Sequence, residues 1–170
     1  MAKRICITGT ESTGKTVLAE QLAKHFDCPL LEDVSRKHIA ELTAPYTQED
    51  VLTIAQEIIE AETIMRSETN AFFISDNDLI NIKIWLLYYN WSVPEWLEEA
   101  MLQTKEDVFL LCDIDLPWQA DEQRQNPNDR AELFEQFKQA LEQLEANYSV
   151  VNGLGRERLE RAIQIIGELS

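Results

Sequence analysis

Glycine and cysteine are both scarce in this chain, with five and three copies in 170 residues, and positive charge is short as well: 15 Lys and Arg against 31 Asp and Glu, a formal net charge of −16. Each shortage excludes something. So few basic residues on so acidic a surface repel phosphate backbones and anionic lipid, which argues against nucleic-acid and membrane-surface partners. One small anionic ligand in a locally positive pocket stays compatible with it. Cys6, Cys28 and Cys112 stand far apart, with no CxxC or Cys/His spacing. That pattern argues against a disulfide framework or a cysteine zinc site and fits a reducing compartment, the cytoplasm. No apolar run approaches the about 18 residues needed to span a bilayer, and no basic-then-apolar leader opens the chain. The remainder is ordinary globular composition, 45% hydrophobic and 27% charged, of a length suited to one domain.

Short apolar runs alternate with longer helical spacings. Arg4–Thr8 reads as a strand, followed by turn residues and a helix with Val17, Leu18, Leu22 and Phe26 on one face. Pro29–Asp33 reads as a second short strand ending in two carboxylates, after which Ser35 is placed to cap a helix reaching about Leu42. Thr47 with Asp50 three residues on marks a further start, and the helix predicted from there runs to about Thr69. Ala71–Ser75 is a buried-strand pattern closed by Asp76-Asn77-Asp78. Helices are expected over 79–89 and 95–103, a fourth strand over 108–112, a helix capped by Asp129 running to about Asn147, a fifth strand over 148–151 and a closing helix over 156–169. Residues 116–128 contain Pro117 and Pro127 and almost no aliphatic side chain, which reads as a loop or a lid of about residues 115–130. No internal repeat or linker divides the chain, so residues 1–170 are read as one domain. Strands alternating with helices predict an α/β fold, a three-layer sandwich around a five-stranded parallel sheet. Ligands of such sheets bind at the carboxyl ends of the strands, and that is where the acidic residues fall.

Two of the five glycines sit in Gly9-Thr10-Glu11-Ser12-Thr13-Gly14-Lys15-Thr16, which fits G-x-x-x-x-G-K-[ST] between a predicted strand and a predicted helix. That context makes it the phosphate-binding loop of a P-loop NTPase. The glycines let backbone N–H groups turn inward onto phosphate oxygens, and the helix N-terminus adds partial positive charge. Lys15 is expected at the β- and γ-phosphates of ATP and the Thr16 hydroxyl on Mg²⁺. Asp76, ending the third apolar run, is the candidate Mg²⁺ carboxylate, with Asp78 in the wider site or capping the following helix. A kinase needs a carboxylate near the acceptor hydroxyl, and Asp33 is preferred to Glu32 for that base. Arg36 lies three residues on, to hold the carboxylate or the acceptor. The bland alternative is an acid at a helix start paired with an arginine on a solvated face. Arg124, in the predicted lid with Arg130 just beyond it, is the arginine expected to meet charge developing on the γ-phosphate. Trp85, Tyr88, Tyr89, Trp91 and Trp96 crowd together; core packing explains them most simply, a stacking platform for a flat heterocycle less so.

No N-K-x-D-like stretch for reading a guanine base is present, and the chain is short for an oligomeric motor ATPase, which leaves a small-molecule kinase as the economical reading. The combined pattern resembles the nicotinamide riboside kinase domain of the NadR family. The resemblance rests on the phosphate loop, Asp33-Val34-Ser35-Arg36, Asp76-Asn77-Asp78, and Asp115-Leu116-Pro117-Trp118 continuing through Asp121 to Arg124. It implies ATP-dependent phosphorylation of the 5′-hydroxyl of nicotinamide riboside or a related nucleoside. Asp33 and Arg36 would then lie on the acceptor side, Asp76 and Asp78 at metal and ribose, Trp118 and Asp121 at the substrate, and Arg124 in the lid. Two departures are Asp33, where that family usually has Glu, and Glu122, where a glycine commonly follows the lid Asp. Other metabolite kinases, and a nucleotide-responsive regulatory NTPase, are the alternatives.

Overall fold

In the computed structural model, which describes residues 2–116 and 129–169, five parallel strands form one sheet in the order β2-β3-β1-β4-β5. The strands are β1 (Lys3–Thr8), β2 (Leu30–Leu31), β3 (Phe72–Ser75), β4 (Val108–Cys112) and β5 (Asn147–Val151). Seven helices connect and close them among the described residues: α1 (Lys15–Phe26), α2 (Val34–Glu41), α3 (Gln48–Glu68), α4 (Leu79–Tyr88), α5 (Glu95–Leu102), α6 (Arg130–Gln143) and α7 (Gly155–Leu169). The α/β three-layer architecture expected from the sequence is the one observed.

Alternation along the strands builds the layers. Ile5 and Ile7 of β1 and Val108, Leu110 and Cys112 of β4 pack against Leu18 and Leu22 of α1 and Ala162 and Ile166 of α7. Cys6, Phe109 and Leu111 point the other way, into a larger core formed with α3, α4, α5 and α6. Parallel strands covered on both faces need apolar side chains on both, which is why these segments read as continuous apolar runs.

Helix starts follow local chemistry. Thr47 accepts from the Asp50 backbone N–H while the Asp50 carboxylate accepts from Thr47, the reciprocal cap expected from that spacing. Some boundaries differ from the sequence reading; β2 covers only Leu30–Leu31, which leaves Glu32 and Asp33 in the turn beyond it. Asp33, not Ser35, caps α2: Ser35 is already the second residue of the helix, and the Asp33 carboxylate just before it accepts from both the backbone N–H and the hydroxyl of Ser35. Helix α6 ends at Gln143 rather than near Asn147. Glu145 takes a left-handed φ of 53° and Asn147 joins β5, whose pairing with Val108 outcompetes another helical turn. Among the described residues no helix is long and apolar enough to cross a membrane.

Candidate active site

At the carboxyl end of β1 the chain turns through residues 9–14 into α1. Gly9 has φ 135°, and a Cβ there would meet the Cys112 carbonyl oxygen at 3.1 Å; Gly14 has φ 73°, with the Leu116 side chain 2.8 Å from where a Cβ would sit. Gly9 therefore needs glycine for conformation and for room, and Gly14 for conformation. Gly14 caps α1 without a side-chain bond, and no acidic residue lies in the first turn. The orphan N–H groups of that turn are left to an anion by default.

The loop is held by polar bonds at its carbonyls. Thr13 Oγ1 and Lys15 Nζ both donate to the Thr10 carbonyl at 2.7 Å. Lys15 is half-buried; withdrawal from water pushes its ammonium pKa down, and Asp76 pulls it back up. Arg130, at the first turn of α6, donates from Nη2 to the Ser12 carbonyl at 3.3 Å. Thr16 Oγ1 donates to Asp76 Oδ2 at 2.6 Å, bringing the two expected metal residues together. These hard oxygens suit Mg²⁺, which takes one or two carboxylates and completes its shell with phosphate oxygens and water.

The three residues after β3 do separate jobs. Asp76 is 8% exposed, and burial raises its carboxyl pKa to about 6, against the lowering pull of the Thr16 bond and Lys15. Asp78 caps α4 through Ile80 N–H at 2.9 Å and accepts the Thr8 hydroxyl as well, so the capping role foreseen for it is filled while it still lines the cavity. Burial raises its pKa too. Asn77, between the two aspartates, accepts from Val34 N–H at 3.0 Å and donates to the Glu32 carbonyl at 2.7 Å and the Leu31 carbonyl at 3.2 Å. It clamps the turn carrying Asp33 to the strand end carrying Asp76. Asp33 itself both caps α2 and pairs with Arg36, Oδ2 to Nε 3.8 Å. The bland reading of that pair is thus geometrically true, and both residues line the same cavity as the loop.

That cavity, about 450 Å³, runs from the loop past Asp33 and Asp76 to a wall of Tyr46, Trp85, Tyr88 and Tyr89. Trp85 also packs on the core, its ring centroid 4.9 Å from that of Tyr46, whose hydroxyl bonds the Tyr89 hydroxyl at 2.7 Å. Trp91 and Trp96 pack against the core instead. Tyr46 lies far from the aromatic run in sequence, so no local signal marked it. Trp118, Asp121 and Arg124 lie outside the described residues; the flanks of that stretch, Leu116 and Arg130, both approach the loop.

A titration prediction arises here. The folded Asp76 carboxyl, at about 6, stands above its unfolded value of about 3.9. Between those pH values the native protein holds a proton the unfolded chain has released, so this stabilising contribution is complete below about pH 4 and is lost as pH rises through 6. Its size is on the order of 2–3 kcal/mol. Urea unfolding of the metal-free protein from pH 4 to 7 should therefore fall more steeply in the native protein than in Asp76→Asn; identical slopes would place the Asp76 pKa near 4.

The family model described as AAA domain matches residues 4–158, and the chain belongs to that family. No curated protein matches. Among solved structures, a NadR protein in complex with NAD and AMP-PNP superposes with a TM-score of 0.76 at 16% identity, over 98% of this chain and 49% of that one. A NadR protein in complex with NR gives 0.74 at 16% identity, over 98% and 51%. Thymidylate kinase from Ehrlichia chaffeensis gives 0.70 at 10% identity, over 99% of both chains. The chain spans about half the length of the NadR chains it matches. At these identities the likeness is one of fold, that of P-loop kinases.

Proposed function

We propose that this AAA domain family member is an ATP-dependent small-molecule kinase whose acceptor is nicotinamide riboside. The observation that carries the reading is one continuous cavity joining the N–H-rich loop and Lys15 to the Asp33 carboxylate and an aromatic wall. A nucleotide switch has no need of the second half of that cavity. The shared fold with thymidylate kinase and with NadR structures solved with AMP-PNP and with NR supports the kinase class.

In this mechanism the loop N–H groups and Lys15 hold the ATP phosphates. Asp33 takes the proton of the acceptor hydroxyl as that oxygen attacks the γ-phosphorus in line; the new P–O bond forms as the bond to the β-bridging oxygen breaks and ADP leaves. Thr16 and Asp76 would hold Mg²⁺, which when bound neutralises charge on the β- and γ-phosphate oxygens. Arg130 already reaches the loop, and Arg124 is the further cation assigned to the transferring phosphoryl group. Catalysis of this kind is positioning and electrostatics in a site shielded from water. For the acceptor, the aromatic wall suits a flat ring, and a pyridinium gains from aromatic faces and from a chain of net charge −16.

Radiolabelled ATP with a panel of ribosides, nucleosides and water tests the reading. Labelled nicotinamide riboside phosphate is expected; transfer to water alone would overturn it. In the same assay Asp33→Asn should lower turnover about 10²–10⁴-fold while Mg-ATP affinity holds, because Asn still caps α2. Equal losses in turnover and affinity would make Asp33 structural.

A further inference from the structure

The carboxyl ends of β1, β4 and β5 meet at one side chain. Arg158, in the first turn of α7, is 4% exposed. Its Nε donates to the Gly153 carbonyl at 3.1 Å, Nη1 to the Thr13 carbonyl, and Nη2 to the Asp113 carbonyl at 3.1 Å. Nη2 also pairs with Asp115 Oδ1 at 2.7 Å, and the other Asp115 oxygen accepts from Gly153 N–H at 2.6 Å. One guanidinium therefore binds the phosphate loop, the stretch leaving β4 and the stretch leaving β5.

A loop that turns its N–H groups toward a ligand turns carbonyls away from it, and those on the buried side need donors. The Thr10 carbonyl receives donors from Lys15 and Thr13, and the Ser12 carbonyl from Arg130 at the start of α6. Thr13 receives its donor from Arg158 of α7, a buried side chain at the loop's edge of the same cavity. The planar guanidinium meets several acceptors at fixed angles, which an ammonium cannot do.

We propose that Arg158 is a positioning residue: it sets the shape of the phosphate loop and ties it, through Asp115, to the root of the segment that follows β4. It acts on nucleotide affinity through the loop, with Nε, Nη1 and Nη2 each bonded to a backbone carbonyl and Nη2 also to Asp115. The affinity arm of this proposal rests on the kinase reading above; the loop-shape arm does not.

The test pairs hydrogen exchange with calorimetry on Arg158→Lys, Arg158→Met and Asp115→Asn. Exchange in peptides covering residues 9–14 should accelerate about tenfold or more while peptides from α3 keep their protection. The Mg-ATP Kd should rise about tenfold or more in both Arg158 variants and less in Asp115→Asn, which keeps an acceptor for Gly153 N–H. In steady-state assays KM for ATP should rise with kcat at saturation nearly unchanged. A folded Arg158→Lys with native Kd and native exchange at 9–14 would overturn the proposal, as would exchange rising equally in every peptide. If Arg158→Met does not fold, Arg158→Lys and Asp115→Asn decide by the same criteria. If the native protein binds no Mg-ATP, the nucleotide reading fails while the exchange at 9–14 still decides whether Arg158 shapes the loop.

Discussion

Lys15→Ala should remove Mg-ATP binding from calorimetric detection and lower phosphoryl transfer by about 10²–10³-fold or more, the loss typical of a single preorganised charge-stabilising donor. The ammonium lies inside the loop, 2.7 Å from the Thr10 carbonyl, where withdrawal from water depresses its pKa. A cation partly withdrawn from water loses less hydration when it meets phosphate oxygens, so its contribution to binding is larger than that of a surface lysine. Lys15→Arg should fail nearly as badly, because a planar fork does not occupy the place of a compact ammonium. Stability should hardly move, since the Thr10 carbonyl keeps the Thr13 hydroxyl. Unchanged Mg-ATP affinity in Lys15→Ala would refute the phosphate-loop assignment.

Glu62→Ala should destabilise the fold by about 3–5 kcal/mol, the usual result of removing one partner from a buried ion pair. Arg4 of β1 is fully buried beneath the sheet's amino end, pairing with Glu62 of α3 and, at 3.0 Å, with Asp107 just before β4. Asp107 in turn holds Arg66 at 2.6 Å, and Arg66 donates to the Ala2 carbonyl. Burial raises the Glu62 pKa, while Arg4 and Arg66 pull it down. Truncating Glu62 strands Arg4 Nη1 in the interior beside an Nη2 that already has no hydrogen-bond partner among the described residues. With domains stable by only about 5–15 kcal/mol, the urea midpoint should drop sharply at constant slope. Arg4→Met combined with Glu62→Met should recover most of the loss, because an apolar pair leaves no buried charge unmatched. A single-mutant loss under about 1 kcal/mol would show that the pair is solvated.

That ion cluster shows where sequence reading stops. Glu62 follows Val51, Ile54, Ala55 and Ile58 on the apolar stripe of α3, and Arg4 opens an apolar strand. Each is a charge in a buried register, a sign that a partner exists but not which one, since the partners lie 58 and 103 residues apart. Arg158 carries the same sign, sharing the buried face of α7 with Ala162 and Ile166. The phosphate loop was legible because its chemistry is local: backbone, glycine and one lysine within eight residues. Asp33 was legible as an acid at a strand end, whereas its attachment to Asp76 through Asn77 was not, because the bonds are to backbone groups that leave no trace in side-chain pattern.

The sequence by itself determined the strand–helix alternation, the glycine-bracketed loop between β1 and α1, and the placement of carboxylates near strand ends. These follow from periodicity and turn chemistry within a few residues of one another. Only the tertiary structure decided that Tyr46 and Trp85 form one wall, that Arg158 of α7 bonds the loop at Thr13, and that the cavity runs from Lys15 to the aromatic rings. Those facts depend on the strand order β2-β3-β1-β4-β5, which brings the ends of β1, β3 and β4 side by side. The scarcity of positive charge was plain from the start. Its concentration around a single loop, by Lys15, Arg130 and Arg158, is a consequence of packing.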